Sequence, residues 1–176
     1  MYRIIFVFLF CISCTSTVQN KQVIGEVFPS VQGTTLDGKK LTIPNDITGT
    51  KTLLLIGYEQ DTQFDIDRWL IGLDQKGYIL NVFEVPTIQG WIPSLIQSKI
   101  NNGMRSGIPK DLWKVVLTVY KDADQIVSFL GNTNPKNARA IVLSEQGKVL
   151  YQYDQGFSVS ALNGLGKFFK SKINCN

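Results

Sequence analysis

An unbroken apolar segment of strand length, Thr52 to Gly57, is the feature that most restricts the fold of this chain. Such segments are typical of strands covered on both faces in a parallel sheet. After the loop 58–61, apolar residues recur at the i, i+3, i+4 and i+7 spacing of a helix that Gly77 ends: Ile66, Trp69, Leu70 and Leu73. A second strand, Tyr78 to Val85, follows. The sequence therefore predicts a parallel βαβ unit in an α/β domain.

Two hairpins and four other elements surround this unit. Asp37-Gly38 is a strong turn signal, because Gly tolerates positive φ, and it predicts an N-terminal β-hairpin over Val31 to Ile43. The other predicted elements are a helix through Ile92, Leu95, Ile96 and Ile100 with Gly103 beyond its end, a strand Val115 to Tyr120, a short helix through Ile126, Phe129 and Leu130, a hairpin of 138–143 with 148–153, and a final helix capped by Ser158. The predicted fold is a central mixed sheet flanked by helices.

The first residues carry the pattern of an export signal. Met1-Tyr2-Arg3 is a short positive start, and Ile4 to Ile12 is an apolar run well short of the ~20 residues of a membrane-spanning helix. Ile12-Ser13-Cys14 resembles the lipobox of bacterial lipoproteins, in which the cysteine becomes the acylated N-terminus. The resemblance implies a signal peptide over 1–13, lipidation at Cys14 and a lipid-anchored, periplasm-facing location in the cell envelope, on the inner or the outer membrane.

An ordinary secretory signal cut at a nearby small residue is the alternative, because Cys11 stands where leucine is usual in a lipobox. On the lipoprotein interpretation, residues 14–23 are the lipidated N-terminus and a tether, and 24–172 are one domain. Residues 173–176 are then a C-terminal tail.

The contents of histidine and cysteine exclude several kinds of chemistry. The chain has no histidine, which removes Ser-His and Cys-His catalysis and His-ligated zinc. Cys11 and Cys14 have the spacing of a redox pair, but the signal peptide would carry the first of them away. Only Cys175 remains in the mature domain, so we expect no intramolecular disulfide, no metal site and no cofactor. The net charge of +4 comes from scattered basic residues, and no nucleic-acid-binding surface is expected.

Several landmarks resemble the thioredoxin superfamily, in particular its peroxiredoxin and membrane-anchored thioredoxin branch. They are Gly25, Pro29, Leu36-Asp37-Gly38-Lys39 and Glu145-Gln146-Gly147-Lys148-Val149. The resemblance implies a thioredoxin-like fold. It also places the reactive cysteine of that family in the loop Tyr58 to Thr62 and its cis-proline near Asn137-Ala138-Arg139, where this chain has neither residue.

A looser resemblance is to the redox-inactive, thioredoxin-like assembly factors of the mitochondrial ATP synthase. It rests on Gln63 with Trp69, on Gly103-Met104-Arg105, and on Gly147-Lys148-Val149 followed by Gly156. This resemblance implies a membrane-associated assembly or chaperone role.

The candidate binding surface is the loop that replaces the thiol site: Tyr58, Glu59, Gln60 and Asp61, with Arg105 as an added candidate for binding a carboxylate or phosphate. In the alternative interpretation, Asp61 or Thr62 only caps the following helix and Arg105 is a solvated loop residue. Trp69 has core spacing, whereas Trp91 and Trp113 lie in connections where an aromatic contact surface is one interpretation.

Two functions of different classes are compatible with these features. The first is a membrane-anchored, redox-inactive binding or assembly module of the bacterial cell envelope, with an envelope protein as its partner. The alternative is a thiol-dependent peroxidase or disulfide oxidoreductase that works through Cys175 or the thiols of a partner.

Overall fold

The structure is a computed structural model that describes residues 17–171, without the side chain of Ser171. The predicted signal peptide, the predicted lipidation site Cys14 and the predicted C-terminal tail with Cys175 lie outside the described residues. Within 17–171, no helix combines the length and the apolar character that a bilayer span requires.

The chain forms a mixed sheet with helices on both sides, as predicted. The strands are β1 (Val31–Thr35), β2 (Lys40–Ile43), β3 (Thr52–Gly57), β4 (Tyr78–Ile79), β5 (Asn81–Pro86), β6 (Leu117–Thr118), β7 (Arg139–Leu143), β8 (Val149–Tyr153) and β9 (Lys170–Ser171). The helices are α1 (Gln63–Lys76), α2 (Ser94–Gly107), α3 (Ala123–Leu130) and α4 (Val159–Gly164), with short 3-10 helices at 45–47, 60–62, 110–115 and 165–167.

The central sheet has the strand order β5-β3-β7-β8, in which β3 pairs parallel with β5 and antiparallel with β7. The order β2-β1-β6 forms a second sheet. Parallel bridges Glu84–Val116 and Thr87–Val119 join the β5 region to the β6 region, so the second sheet continues the central sheet beyond β5. The predicted βαβ unit and both hairpins are confirmed.

The buried strand β3 separates two apolar clusters because its side chains alternate between the faces of the sheet. Leu54 and Ile56 pack with α3 and the N-terminal hairpin. Leu53 and Leu55 pack with α1 and α4, where Trp69 is fully buried. The prediction that Trp69 belongs to the core is confirmed.

The helix ends follow local chemistry. Gly77 ends α1 with a left-handed φ of 58°. At the start of α4 the Ser158 side chain accepts a hydrogen bond from the Ala161 N–H at 3.0 Å, as predicted.

The helix α2 differs from its prediction. It continues through Gly103 to Gly107 and buries none of its residues, and Leu95 is 81% exposed. The predicted strand Val115 to Tyr120 shortens to β6. A 3-10 helix occupies 110–115, and Val116 and Val119 form only isolated bridges with Glu84 and Thr87. The predicted strand Tyr78 to Val85 is divided at Leu80, and its first part, β4, pairs with β9.

The segment predicted as a tether lies against the domain over part of its length. The Val18 N–H donates to Oδ1 of Asn132 at 2.6 Å, and the Asn132 N–H donates to the Val18 carbonyl at 2.8 Å. Val23 is 1% exposed and belongs to the core cluster of α3. Packing of the domain therefore begins before residue 24.

Candidate functional site

The candidate site lies at the edge of the central sheet where β3 ends and the antiparallel strand β7 begins. Ile56 of β3 stands opposite Arg139 in the register of the two strands. The loop that continues β3 therefore meets the segment that leads into β7. The resemblance to the thioredoxin superfamily places a reactive cysteine and a cis-proline at this meeting point, where the chain instead brings Tyr58 and Arg139 together.

Tyr58 and Arg139 form a buried cation–π pair. The guanidinium carbon of Arg139 lies 4.2 Å from the centroid of the Tyr58 ring. Burial raises the pKa of the Tyr58 hydroxyl to about 12 despite the positive charge nearby. The phenol is therefore neutral at physiological pH and serves as an aromatic surface for the cation rather than as an acid or base.

Burial of the charged Arg139 side chain at this position costs desolvation free energy. Its side chain has no exposed surface. Nη1 donates to the carbonyls of Asn137 at 3.0 Å and Asn134 at 3.4 Å, while Nε and Nη2 are buried without a hydrogen-bond partner among the described residues. Burial lowers the pKa of Arg139, although an arginine still stays protonated in a protein. The site therefore holds a buried cation with unmet donors.

The loop above this pair is exposed and acidic. Glu59, Gln60 and Asp61 all face solvent. Asp61 pairs with Lys136 through an Oδ2–Nζ distance of 3.1 Å, which links the loop to the segment before β7. The prediction of capping is wrong for both residues: neither the Asp61 nor the Thr62 side chain accepts an N–H at the start of the helix, and the Thr62 hydroxyl donates to the Glu59 carbonyl.

Asp65, one turn into the helical segment, fixes the segment before β7. Its Oδ2 accepts from the Ala138 N–H at 3.2 Å. Gly156 passes close to the same carboxylate with a φ of 79°, and a Cβ there would lie 2.4 Å from Asp65 Oδ2. The indole N–H of Trp69 donates to the Gly156 carbonyl at 2.8 Å. Trp69 and Gly156, two landmarks of the looser resemblance, thus hold one end of the site.

Phe64 is an exposed aromatic residue beside the acidic loop that the sequence analysis missed. It follows Gln63 at the start of α1 and is 70% exposed. The sequence does indicate that Phe64 is exposed, because it does not share the helical spacing of the core residues Ile66 and Trp69. Aromatic residues are enriched in protein interfaces, so Phe64 is a candidate contact residue.

Glu84 is a second functional candidate that the sequence analysis missed. It lies on β5 opposite Leu55 of β3 and is 8% exposed. Burial raises its pKa to about 7, a hydrogen bond from the Gln63 side chain opposes that shift, and the charge of Asp67 adds to it. This carboxyl can exchange a proton near neutral pH, but none of residues 17–171 is a cysteine whose thiol it could serve.

Arg105 does not lie in a loop, and that prediction is wrong. It belongs to the last turn of α2, where Nε donates to the Leu36 carbonyl at 2.7 Å and Nη1 to Oδ1 of Asn102 at 2.8 Å. Its guanidinium lies 5.6 Å from the centroid of the Trp113 ring. None of these contacts joins it to Tyr58 or the acidic loop, so its observed role is to fix α2 to the N-terminal hairpin.

The described residues offer no evident metal site. Within 17–171, no three His, Cys, Asp or Glu side chains are grouped so that they could hold a metal ion.

Comparison with known proteins identifies the fold through structure alone. No family model and no curated protein sequence matches the chain. Among solved structures, the thioredoxin domain of a thiol-disulfide oxidoreductase from Bacteroides vulgatus is 17% identical, with a TM-score of 0.53 over 85% of this chain and 100% of that one.

Two further solved structures have the same fold. The exposed lipoprotein thioredoxin of Streptococcus pneumoniae is 12% identical, with a TM-score of 0.52 over 79% of this chain and 98% of that one. BsSco, a member of the Sco family of cytochrome c oxidase assembly proteins, is 11% identical, with a TM-score of 0.55 over 84% and 94%. These likenesses, together with the mixed sheet and its flanking helices, show that the chain has a thioredoxin-like fold.

Proposed function

We propose that this chain is a redox-inactive, thioredoxin-like binding or assembly module, lipid-anchored at Cys14 and facing the periplasm of a bacterial cell envelope. The observation that carries the proposal is the Tyr58–Arg139 pair, which occupies the edge of the sheet where thioredoxin-like enzymes hold their thiol. A neutral phenol and a buried guanidinium cannot exchange electrons with a disulfide. The sheet, the loop and the helix that present the site are nevertheless retained.

The partner surface in this proposal consists of Glu59, Gln60, Asp61, Phe64 and Lys136. Phe64 is the exposed apolar side chain of this surface, and the other four residues are exposed and polar, which suits an aromatic contact with a polar rim. The Asp61–Lys136 ion pair and the Asp65–Ala138 hydrogen bond connect the two segments that carry this surface. Such a surface suits an envelope protein better than a nucleic acid, because it has no basic excess.

The packing of Val18 against Asn132 limits how far the domain can stand from a lipid on Cys14. Four residues of extended chain reach at most about 14 Å. The exposed lipoprotein thioredoxin and the Sco-family assembly protein among the structural neighbours are compatible with this role, but the proposal rests on the site of this chain.

Redox assays distinguish the proposal from a thiol-dependent peroxidase or disulfide oxidoreductase. We expect the full chain to show no turnover in insulin-reduction and peroxide-consumption assays, and the Cys175→Ser variant to behave identically. The reason is that residues 17–171 contain no thiol to attack a substrate. Turnover that disappears in Cys175→Ser would establish the enzyme instead.

Crosslinking tests the partner surface directly. With a photo-crosslinking residue in place of the exposed Gln60, we expect the full chain in intact cells to capture a defined envelope protein in the membrane fraction. Phe64→Ser is expected to reduce this capture about thirtyfold, because loss of a central aromatic anchor costs on the order of 2 kcal/mol. Ile71→Ser is the matched control, since Ile71 lies on the same helix and is 59% exposed.

Equal loss of capture in Phe64→Ser and Ile71→Ser would show that Phe64 is not a specific contact. A chain found only outside the membrane fraction would contradict the anchor.

A further inference from the structure

An open cavity of about 460 Å³ lies between the outer face of the β2-β1-β6 sheet and the start of α2. Its lining includes Gln32 and Thr34 of β1, Thr118 of β6, and Trp91 and Gln97 from the opposite side. None of the residues of the proposed partner surface contributes to it. Its volume is within the range of roughly 300–1,000 Å³ of small-ligand sites.

One face of the sheet gives the cavity a floor of uncharged polar groups. Gln32 and Thr34 alternate with buried residues along β1, and Thr118 stands opposite Thr34 in the register of the strands. These side chains therefore share one face, and Tyr120, two residues beyond Thr118, continues it. The hydroxyl of Thr118 is buried and has no hydrogen-bond partner in the described part of the chain.

The opposite wall is held in place by polar contacts. The Tyr120 hydroxyl donates to Oδ1 of Asn101 on α2 at 2.9 Å. The side-chain amide of Gln97 donates to the Ile92 carbonyl at 2.7 Å, which fixes the segment that carries Trp91. Trp91 is 88% exposed, so its indole is available at the cavity without a covering side chain. The cavity is thus a built site with an aromatic wall and a hydroxyl and amide floor.

The charges and the backbone narrow the class of ligand. Lys121 and Asp124 are the charged groups of the lining, and their opposite charges cancel, so a strongly anionic or cationic ligand is not favoured. An extended peptide cannot add to the sheet here, because β1 pairs with β2 on one side and with β6 on the other. Recognition must come from side chains on the face of the sheet.

We infer that this cavity binds a neutral saccharide. A pyranose ring has an apolar C–H face that can stack on the Trp91 indole, while its hydroxyls both donate and accept hydrogen bonds. The amides of Gln32 and Gln97 and the hydroxyl of Thr34 offer the complementary donors and acceptors.

Binding can be measured by saturation-transfer NMR on the full chain in a detergent that contains no sugar. The probes are chitotriose, cellotriose and maltotriose, with trialanine as the peptide probe, each at about 10 mM, which exceeds the dissociation constant of a millimolar ligand. We expect at least one trisaccharide to bind and trialanine not to bind.

Two variants locate the site. Trp91→Ala is expected to weaken binding about tenfold through the lost stacking surface, and Gln32→Ala to weaken it about fivefold through the lost hydrogen bonds of the amide. Leu95→Ala is the control: Leu95 is 81% exposed on α2 but does not line the cavity, so binding should remain within about twofold. Gln32→Ala should not lower stability, since Gln32 is exposed, and this separates lost binding from lost folding.

Absence of binding by all three trisaccharides would overturn the inference. Binding that is unchanged in Trp91→Ala and Gln32→Ala, or preferential binding of trialanine, would also overturn it.

Discussion

Replacement of Glu84 by Gln is expected to raise the free energy of unfolding by about 3 kcal/mol near pH 8 and to leave it almost unchanged near pH 4. The cause is the burial of this carboxyl on β5, which raises its pKa from 4.5 to about 7 in the folded chain. Between these two values the folded protein holds a proton that the unfolded chain releases. The stability of the wild-type protein therefore falls as the pH rises from about 4.5 to about 7.

Gln cannot ionise, and so the variant escapes this loss. Urea denaturation of the wild type and Glu84→Gln at the two pH values measures the difference, and the dependence on pH separates ionisation from any change in packing. Glu145→Gln is the control, because Glu145 is exposed in the turn between β7 and β8 and should show no comparable gain. An equal gain at both pH values would mean that the Glu84 carboxylate is not the destabilising species.

The sequence predicted the central elements well because their signals are local. The bounds of β3 agree with the predicted strand Thr52 to Gly57, since an apolar segment of that length has no solvent-facing position. Gly77 ends α1 for an equally local reason. In contrast, α2 extends beyond Gly103, which costs about 1 kcal/mol in helix propensity. The last turn is held by contacts of Arg105 with Trp113 and with Leu36, which is 69 residues away, so that no helical pattern within the segment indicates them.

The candidate site was located from sequence but its chemistry was not. The loop Tyr58 to Thr62 and the segment before β7 were both identified as the place of missing thiol chemistry, yet the interaction of Tyr58 with Arg139 depends on the pairing of β3 with β7. Likewise, a glutamate within a strand predicts a solvent-facing position. Only the packing of α1 over β5 shows that Glu84 is buried beneath Gln63 and Asp67.

Replacement of Arg139 by Met is expected to raise the free energy of unfolding by about 1–4 kcal/mol. Met has a similar volume and length, so it can fill the buried space without the charge. The substitution removes two donors, Nε and Nη2, that have no partner among the described residues. The substitution also removes the cation–π contact with Tyr58 and two hydrogen bonds, of which the one to the Asn134 carbonyl is long at 3.4 Å. The Asn134 carbonyl keeps the Asn137 N–H as a donor at 3.2 Å.

Urea denaturation measures this gain, and Arg68→Met is the matched control. The Arg68 side chain is 64% exposed, and its ion pair with Asp65 at 3.7 Å contributes little in solvent, so its loss should change stability by less than about 1 kcal/mol. If Arg139→Met instead lowers the free energy of unfolding, the guanidinium stabilises the fold, which contradicts the prediction. If Arg139→Met is more stable than the wild type but no longer captures the crosslinked partner, the buried guanidinium is kept for binding although it destabilises the fold. A charge that only destabilises the fold is otherwise readily replaced.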